Sequence, residues 1–224
     1  MTRFCLLVGA LAQALAAYLI YNYAPIEATM GLSQKIFYFH LPLAWWGLFS
    51  FFIVFIASIL TLNSTKDWPP YLLQAAAEVG ELLAILTLIS GMVWGKIAWG
   101  VWWTWDPRLT TALILCFIYG GLLLIQKLDL GTTRTQKLAA VIGIIGFIDV
   151  PLVFLSARYW RSIHPTVFTS SGIAMSSEMI TTLFIALISF GLFWFGLLML
   201  RFNILKLASQ INLLIEQEVS QNIN

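Results

Sequence analysis

The chain has 224 residues, of which 60% are apolar and only 10% charged, with a formal net charge of +2 and a mean hydropathy of +0.89. So little polar surface cannot coat a soluble globule of this size, and no basic face is left over for nucleic acid. The expectation is an all-α integral membrane protein forming a single domain.

Apolar runs long enough to cross roughly 30 Å of hydrocarbon fall at about 4–24, 41–62, 79–97, 107–126, 137–157 and 179–200, which predicts six transmembrane helices. The first follows Arg3 as a signal peptide would. However, it is longer than a signal core, and the bulky Tyr21, Asn22 and Tyr23 follow it in place of a small-residue cleavage site. It is read as a span. Next comes QKIFYFH, ending on His40 just before the second span, where Pro42 is expected in the first helical turn because its missing N–H costs no bond there. Glu78 and Glu81 are placed at the start of the third span, where the helix dipole favours carboxylates.

The connection after it, WGKIAWGVWWTWDPR at 94–108, is unlike the rest of the chain. Trp94, Trp99, Trp102, Trp103 and Trp105 stand there beside Lys96, Asp106 and Arg108. Asp106 followed by Pro107 makes a good helix start, a capping role that would fix the loop at the membrane surface. Span five carries Asp149 in GFIDVPLVF, a costly position that calls for protonation or a salt bridge near the outer end. The segment RYWRSIHP, between spans five and six, holds Trp160, Arg161 and His164, with Pro165 biasing His164 toward an extended backbone. In the tail at 201–224, Ile204, Leu207, Ala208, Ile211, Leu214 and Ile215 recur at helical spacing. An amphipathic helix is expected there, either lying on the inner membrane surface or docking a cytoplasmic partner. Cys5 and Cys116 fall in different spans, and neither a disulfide nor a CxxCH haem-attachment site is indicated.

Lys and Arg in the connections set the orientation. With the N-terminus inside, Arg3, Lys66, Lys127, Arg134, Lys137, Arg201 and Lys206 lie inside, and Lys35, Lys96, Arg108, Arg158 and Arg161 lie outside. Both termini are then cytoplasmic, and the tryptophan stretch and both histidines face outward. Four of the five outer bases flank the tryptophan stretch or His164, as though reserved for an anionic ligand. Interfacial anchoring by snorkelling is the plainer account of any one of them.

Two imidazoles on one face suit the two axial positions of haem iron. Zinc would ask for four ligands, or three and a water, and no cysteine or carboxylate cluster completes such a set. Haem also matches the mixed character of 94–108, since indoles cover an apolar macrocycle while Arg or Lys receive its propionates. An interfacial aromatic belt is the alternative, but a belt spreads over many span ends, as Trp45, Trp46, Trp68 and Trp194 do; Trp160 stands apart through its closeness to His164.

The run WGKIAWGVWWTWDPRLT resembles the tryptophan-rich WWD signature of the haem-handling proteins of cytochrome c maturation, and FYFHLPLAWW and RYWRSIHP match that family's histidine on each side of the motif. The resemblance covers nearly the whole chain, and its size points to the small six-span CcmC type, haem exporter protein C. It implies a bacterial inner-membrane protein that is a delivery component and not an independent enzyme. It also implies that haem b is held at the periplasmic face in a loop at 94–110, with His40 and His164 as axial ligands. Trp94, Trp99, Trp102, Trp103, Trp105, Asp106, Arg108, Trp160 and Arg161 would surround it. The implied partners are the haem chaperone CcmE, the ABC transporter subunits CcmA and CcmB, the small subunit CcmD and membrane lipid. The alternatives from the residues alone are a b-type cytochrome subunit and a small-solute transporter.

Overall fold

The computed structural model describes residues 2–128, 132–160, 168–169, 172–173 and 175–223. His164 and Arg161 lie outside the described residues. Among the described residues seven helices carry the fold: α1 (Thr2–Asn22), α2 (Phe37–Asn63), α3 (Pro69–Trp99), α4 (Pro107–Ile125), α5 (Thr132–Gly146), α6 (Asp149–Tyr159) and α7 (Ser177–Ile223). A 3-10 turn, Leu32–Ile36, leads into α2, and Phe168–Thr169 pairs antiparallel with Gly172–Ile173. Counting α5 with most of α6 as one span, six helical segments among the described residues are long and apolar enough to cross a membrane, and the chain is a multi-pass membrane protein.

The bundle is built around α2, which packs on α3, α5 and α7; α1 lies along α7, and α4 touches α3, α5 and α6. Phe51 of α2 stacks on Tyr119 of α4 with ring centroids 3.8 Å apart. Lipid offers no hydrophobic driving force between helices, so such close packing and interhelical hydrogen bonds hold them together. Trp46 and Trp194 illustrate both. They stack at 4.8 Å, the Trp46 indole donates to the Leu187 carbonyl and the Trp194 indole donates to Ser50. Trp194 is buried, so this pair belongs to the core of α2 and α7 and not to an interfacial belt. Its hydrogen bonds also satisfy two N–H groups that lipid could not.

Several helices are longer than their apolar runs, and three expectations change as a result. Pro42 is the sixth residue of α2, inside the helix and not in its first turn; the 3-10 turn starts the winding early, so His40 sits within the first turn of α2. With Pro69 and Pro70 at its first positions, α3 begins three turns before Glu78 and Glu81, which therefore do not cap it. Glu78 instead receives the Arg201 guanidinium of α7 through both Nε and Nη2, the latter at 2.9 Å, and the amide of Gln74 at 3.0 Å. The third change is in the expected tail helix, which is continuous with α7. At 1.5 Å per residue α7 runs about 70 Å, over twice the hydrocarbon thickness, and the Tyr71 hydroxyl donates to its Ser209.

Span five is broken. Helix α5 ends at Gly146 and α6 starts at Asp149. Pro151 has no N–H to offer the Phe147 carbonyl, which instead accepts from Val150 at 3.1 Å. Asp149 is buried in the first turn of α6. Its Oδ2, Glu81 Oε2 and the Tyr119 hydroxyl are buried without a hydrogen-bond partner among the described residues, and no salt bridge to Asp149 is found among them either.

Candidate haem-contacting end of the bundle

The carboxyl end of α3 meets the first turns of α2 and α4, and this junction positions the sequence-derived candidates. Helix α3 stops at Gly100, whose φ of 79° is a left-handed cap that suits glycine. The Gly100 N–H returns to the Lys96 carbonyl at 3.1 Å, and Lys96 Nζ donates to the Gly100 carbonyl at 3.0 Å. Lys35 likewise donates to the Tyr21 carbonyl at the end of α1, at 2.9 Å. Two of the five bases that the sequence assigns to the outer side thus serve carbonyls at helix ends, as the helix dipole favours. Helix α4 starts as its sequence indicates: Asp106 is extended (φ −62°, ψ 140°) and its Oδ1 accepts the Arg108 N–H at 2.9 Å, with Pro107 following at the first position. Asp106 is buried, so this cap fixes the connection against the bundle.

His40 lies against α3. Its Nδ1 is 3.0 Å from Ser90 Oγ, and the Ser90 hydroxyl donates to the Thr87 carbonyl at 3.0 Å. A hydroxyl has one hydrogen to give. With that hydrogen directed at Thr87, Ser90 Oγ is left as an acceptor for a proton on His40 Nδ1, the arrangement in which Nε2 would carry the lone pair. A second partner that fixes the tautomer in this way is the usual companion of a metal-ligating histidine. Gly91 makes the approach possible, because a Cβ there would stand 3.0 Å from His40 Cε1.

The indoles of the stretch fall into two sets. Trp94 is buried, 5.8 Å edge-on from the His40 ring, 6.0 Å from Phe37 and 5.9 Å from Trp99. It packs with Ile20, Tyr38 and Leu183 in the core between α1, α2 and α7, where its ring meets the imidazole edge-on. Trp103 and Trp105 form an edge contact at 5.7 Å on the connection itself, and Trp102 and Trp105 are exposed, the latter 76%. The indole N–H groups of Trp94 and Trp103 and the Thr104 hydroxyl are buried with no partner among the described residues. Trp160 is exposed at the end of α6.

Beneath His40 runs a crevice of about 150 Å³ whose lining includes His40, Trp94 and Arg108. Its walls also bring in Phe37, Thr87, Gly91 and Val153, which with Ser90 were not singled out from the sequence. The signal for part of this set was present. Thr87, Ser90, Gly91 and Trp94 repeat at helical spacing, three small or polar residues and an indole down one face of an apolar span.

The family model described as Heme exporter protein C (CcmC) matches residues 1–215. The chain belongs to the heme exporter protein C family. It is 33% identical over 178 residues to a putative cytochrome c biosynthesis ccmC-like mitochondrial protein of Marchantia polymorpha, covering 79% of this chain and 75% of that one. To the Heme exporter protein C of Bradyrhizobium diazoefficiens it is 32% identical over 171 residues, covering 75% and 65%. To the Heme exporter protein C of Escherichia coli K12 it is 28% identical over 144 residues, covering 64% and 59%. The matched stretch thus spans between 59% and 75% of these relatives' own lengths. The family places the chain among transport and delivery components.

Proposed function

We propose that this protein handles haem for cytochrome c maturation, holding haem b on the membrane face that carries the tryptophan connection and passing it to the chaperone CcmE. In this reading that face is the periplasmic side of a bacterial inner membrane, both termini are cytoplasmic, and CcmA, CcmB and CcmD are its membrane partners. The observation that carries it is His40, an imidazole paired through Nδ1 with Ser90 at 3.0 Å and set in the lining of an apolar crevice together with Trp94 and Arg108. His40 and His164 are assigned as the axial pair.

The fit follows from the groups present. A cavity near 150 Å³ is smaller than the roughly 300–1,000 Å³ that encloses a drug-sized ligand, so a macrocycle would lie across the mouth and not within it. Trp102, Trp103 and Trp105 would cover one surface from the connection, with Trp99 at its side, while Trp160 and Arg161 would approach from the His164 segment. The Thr104 hydroxyl and the Trp103 N–H, buried and unpartnered among the described residues, are donors suited to carboxylates, as is the Arg108 fork. The porphyrin supplies the reactive vinyl group; the chain positions, ligates and shields.

An open, surface-held ring suits delivery, whereas electron transfer is better served by histidines buried in mid-span. His40 lies in the first turn of α2, which favours delivery. The decisive experiment is co-expression with CcmE: covalent haem on the chaperone is expected, reduced on loss of either histidine. Haem-free chaperone together with quinone turnover by the purified protein would replace this reading with the b-type cytochrome. One observation favours a transport reading, namely the broken span at Asp149. Asp149→Asn is expected to leave haem delivery intact, and its loss would move the site to midplane.

A further inference from the structure

We propose that the break in span five is a monovalent-cation site, formed by the Asp149 carboxylate, the Tyr119 hydroxyl and the carbonyl end of α5. Asp149 is 7% exposed and Tyr119 is fully buried, yet Oδ2 of the first and the hydroxyl of the second have no hydrogen-bond partner among the described residues. Both belong to the break. A Cβ on Gly146, the last residue of α5, would stand 3.6 Å from Tyr119 Cζ, the carbon that bears the hydroxyl, and Asp149 opens α6 three residues later. The Asp149 charge acts on that hydroxyl, and the stack of Tyr119 on Phe51 holds the ring in place.

The chemistry of the break selects the occupant. A helix leaves its last carbonyls without donors and is partially negative there, whereas its first turn favours a carboxylate. The end of α5 and the start of α6 thus suit a cation beside an ionised Asp149, and Pro151 has no N–H to compete for the carbonyls. A charge left unbalanced within a span is costly. Oδ2 and the Tyr119 hydroxyl do not bond to each other, so a proton alone does not join them, and a water would join them without neutralising the carboxylate. One carboxylate balances one positive charge, and among the described residues no group of three His, Cys, Asp or Glu side chains gathers to hold a metal ion. Glu81 is not part of the site: its Oε1 lies 3.7 Å from a Cβ on Gly120, and neighbouring helical residues point about 100° apart, which sets it on another face of α4 from Tyr119. The site requires no haem and goes beyond the haem assignment.

Thermal unfolding of the haem-free protein in nanodiscs tests it, with sodium or potassium chloride replacing choline chloride at constant ionic strength. The midpoint is expected to rise with at least one of the two ions and to saturate, as for any ligand held only by the folded state. Asp149→Asn should abolish the rise. Tyr119→Phe keeps the ring but removes one oxygen, and should raise the half-saturating ion concentration about tenfold. Glu81→Gln should respond as the wild type does. Equal midpoints in sodium, potassium and choline would overturn the proposal, as would a response that survives Asp149→Asn or vanishes in Glu81→Gln. Should Asp149→Asn fail to fold, infrared spectra decide. A carboxylate stretch that shifts with the ion in the wild type, and less so in Tyr119→Phe, supports the site; a protonated carboxyl band indifferent to the ion refutes it.

Discussion

The two ends of the bundle handle polar groups in opposite ways. At the end bearing Arg201, charges answer one another within the chain: Arg201 grips both oxygens of Glu78, Gln74 adds a third hydrogen bond, and Tyr71 joins α3 to Ser209. At the tryptophan end, Ser90 orients an imidazole toward a crevice, and the Trp94, Trp103 and Thr104 donors are buried without partners among the described residues. Self-satisfied polar groups lock helices together. Buried donors without partners cost free energy unless something else completes them, and three of them gather at the tryptophan end, whereas at the other end Gln126 Oε1 is a buried polar atom left so among the described residues; a ligand is therefore sought first at the tryptophan end.

Breaking this contrast at its strongest point means removing the ligand nitrogen. His40→Ala is expected to abolish the low-spin haem spectrum of the purified protein, with membrane insertion unchanged; a wild-type spectrum would end the ligand assignment. Ser90→Ala comes next. It leaves the ring in place but frees its tautomer and orientation, and second-partner losses of this kind cost about 10–100-fold in metal affinity. A haem titration should show that weakening, with partial rescue by Ser90→Thr; equal affinity would reduce Ser90 to a packing residue. Gly91→Ala sets a methyl 3.0 Å from His40 Cε1, tight enough that the imidazole must shift by a few tenths of an ångström. A several-fold loss of affinity, on the order of 1 kcal/mol, is expected in the same titration.

The opposite end should respond in the other currency. Glu78→Gln is expected to lower thermal stability in detergent by about 1 kcal/mol, kept small because Arg201 is 38% exposed and partly screened. The haem spectrum should not change. A spectral change there would mean that the two ends are coupled through α3. The smallest effect is expected from topology mapping, which alters nothing in the fold: cysteines placed at Trp102 and at Leu32 should both react with an impermeant thiol reagent from the periplasmic side. Cytoplasmic labelling would reverse the orientation.

Much of this was legible in the sequence because its causes are local. Span number follows from runs of apolar residues measured against a fixed bilayer thickness. The start of α4 follows from Asp106–Pro107, whose capping chemistry lies within two residues, and the crowding of indoles at 94–105 needs no fold to be noticed. What the sequence did not reveal depends on contacts between residues far apart in the chain. Glu78 sat in an apolar stretch with no visible partner until α7 brought Arg201 to it, and Trp46 and Trp194 could not be distinguished from belt residues until their rings stacked. The break at Gly146–Asp149 was hidden because hydropathy runs straight through it, while backbone hydrogen bonding does not. The setting of His40 is the clearest case. Residue type at position 40 offered a candidate ligand, but only the approach of α3 across Gly91 supplied the Ser90 oxygen that pairs with its Nδ1.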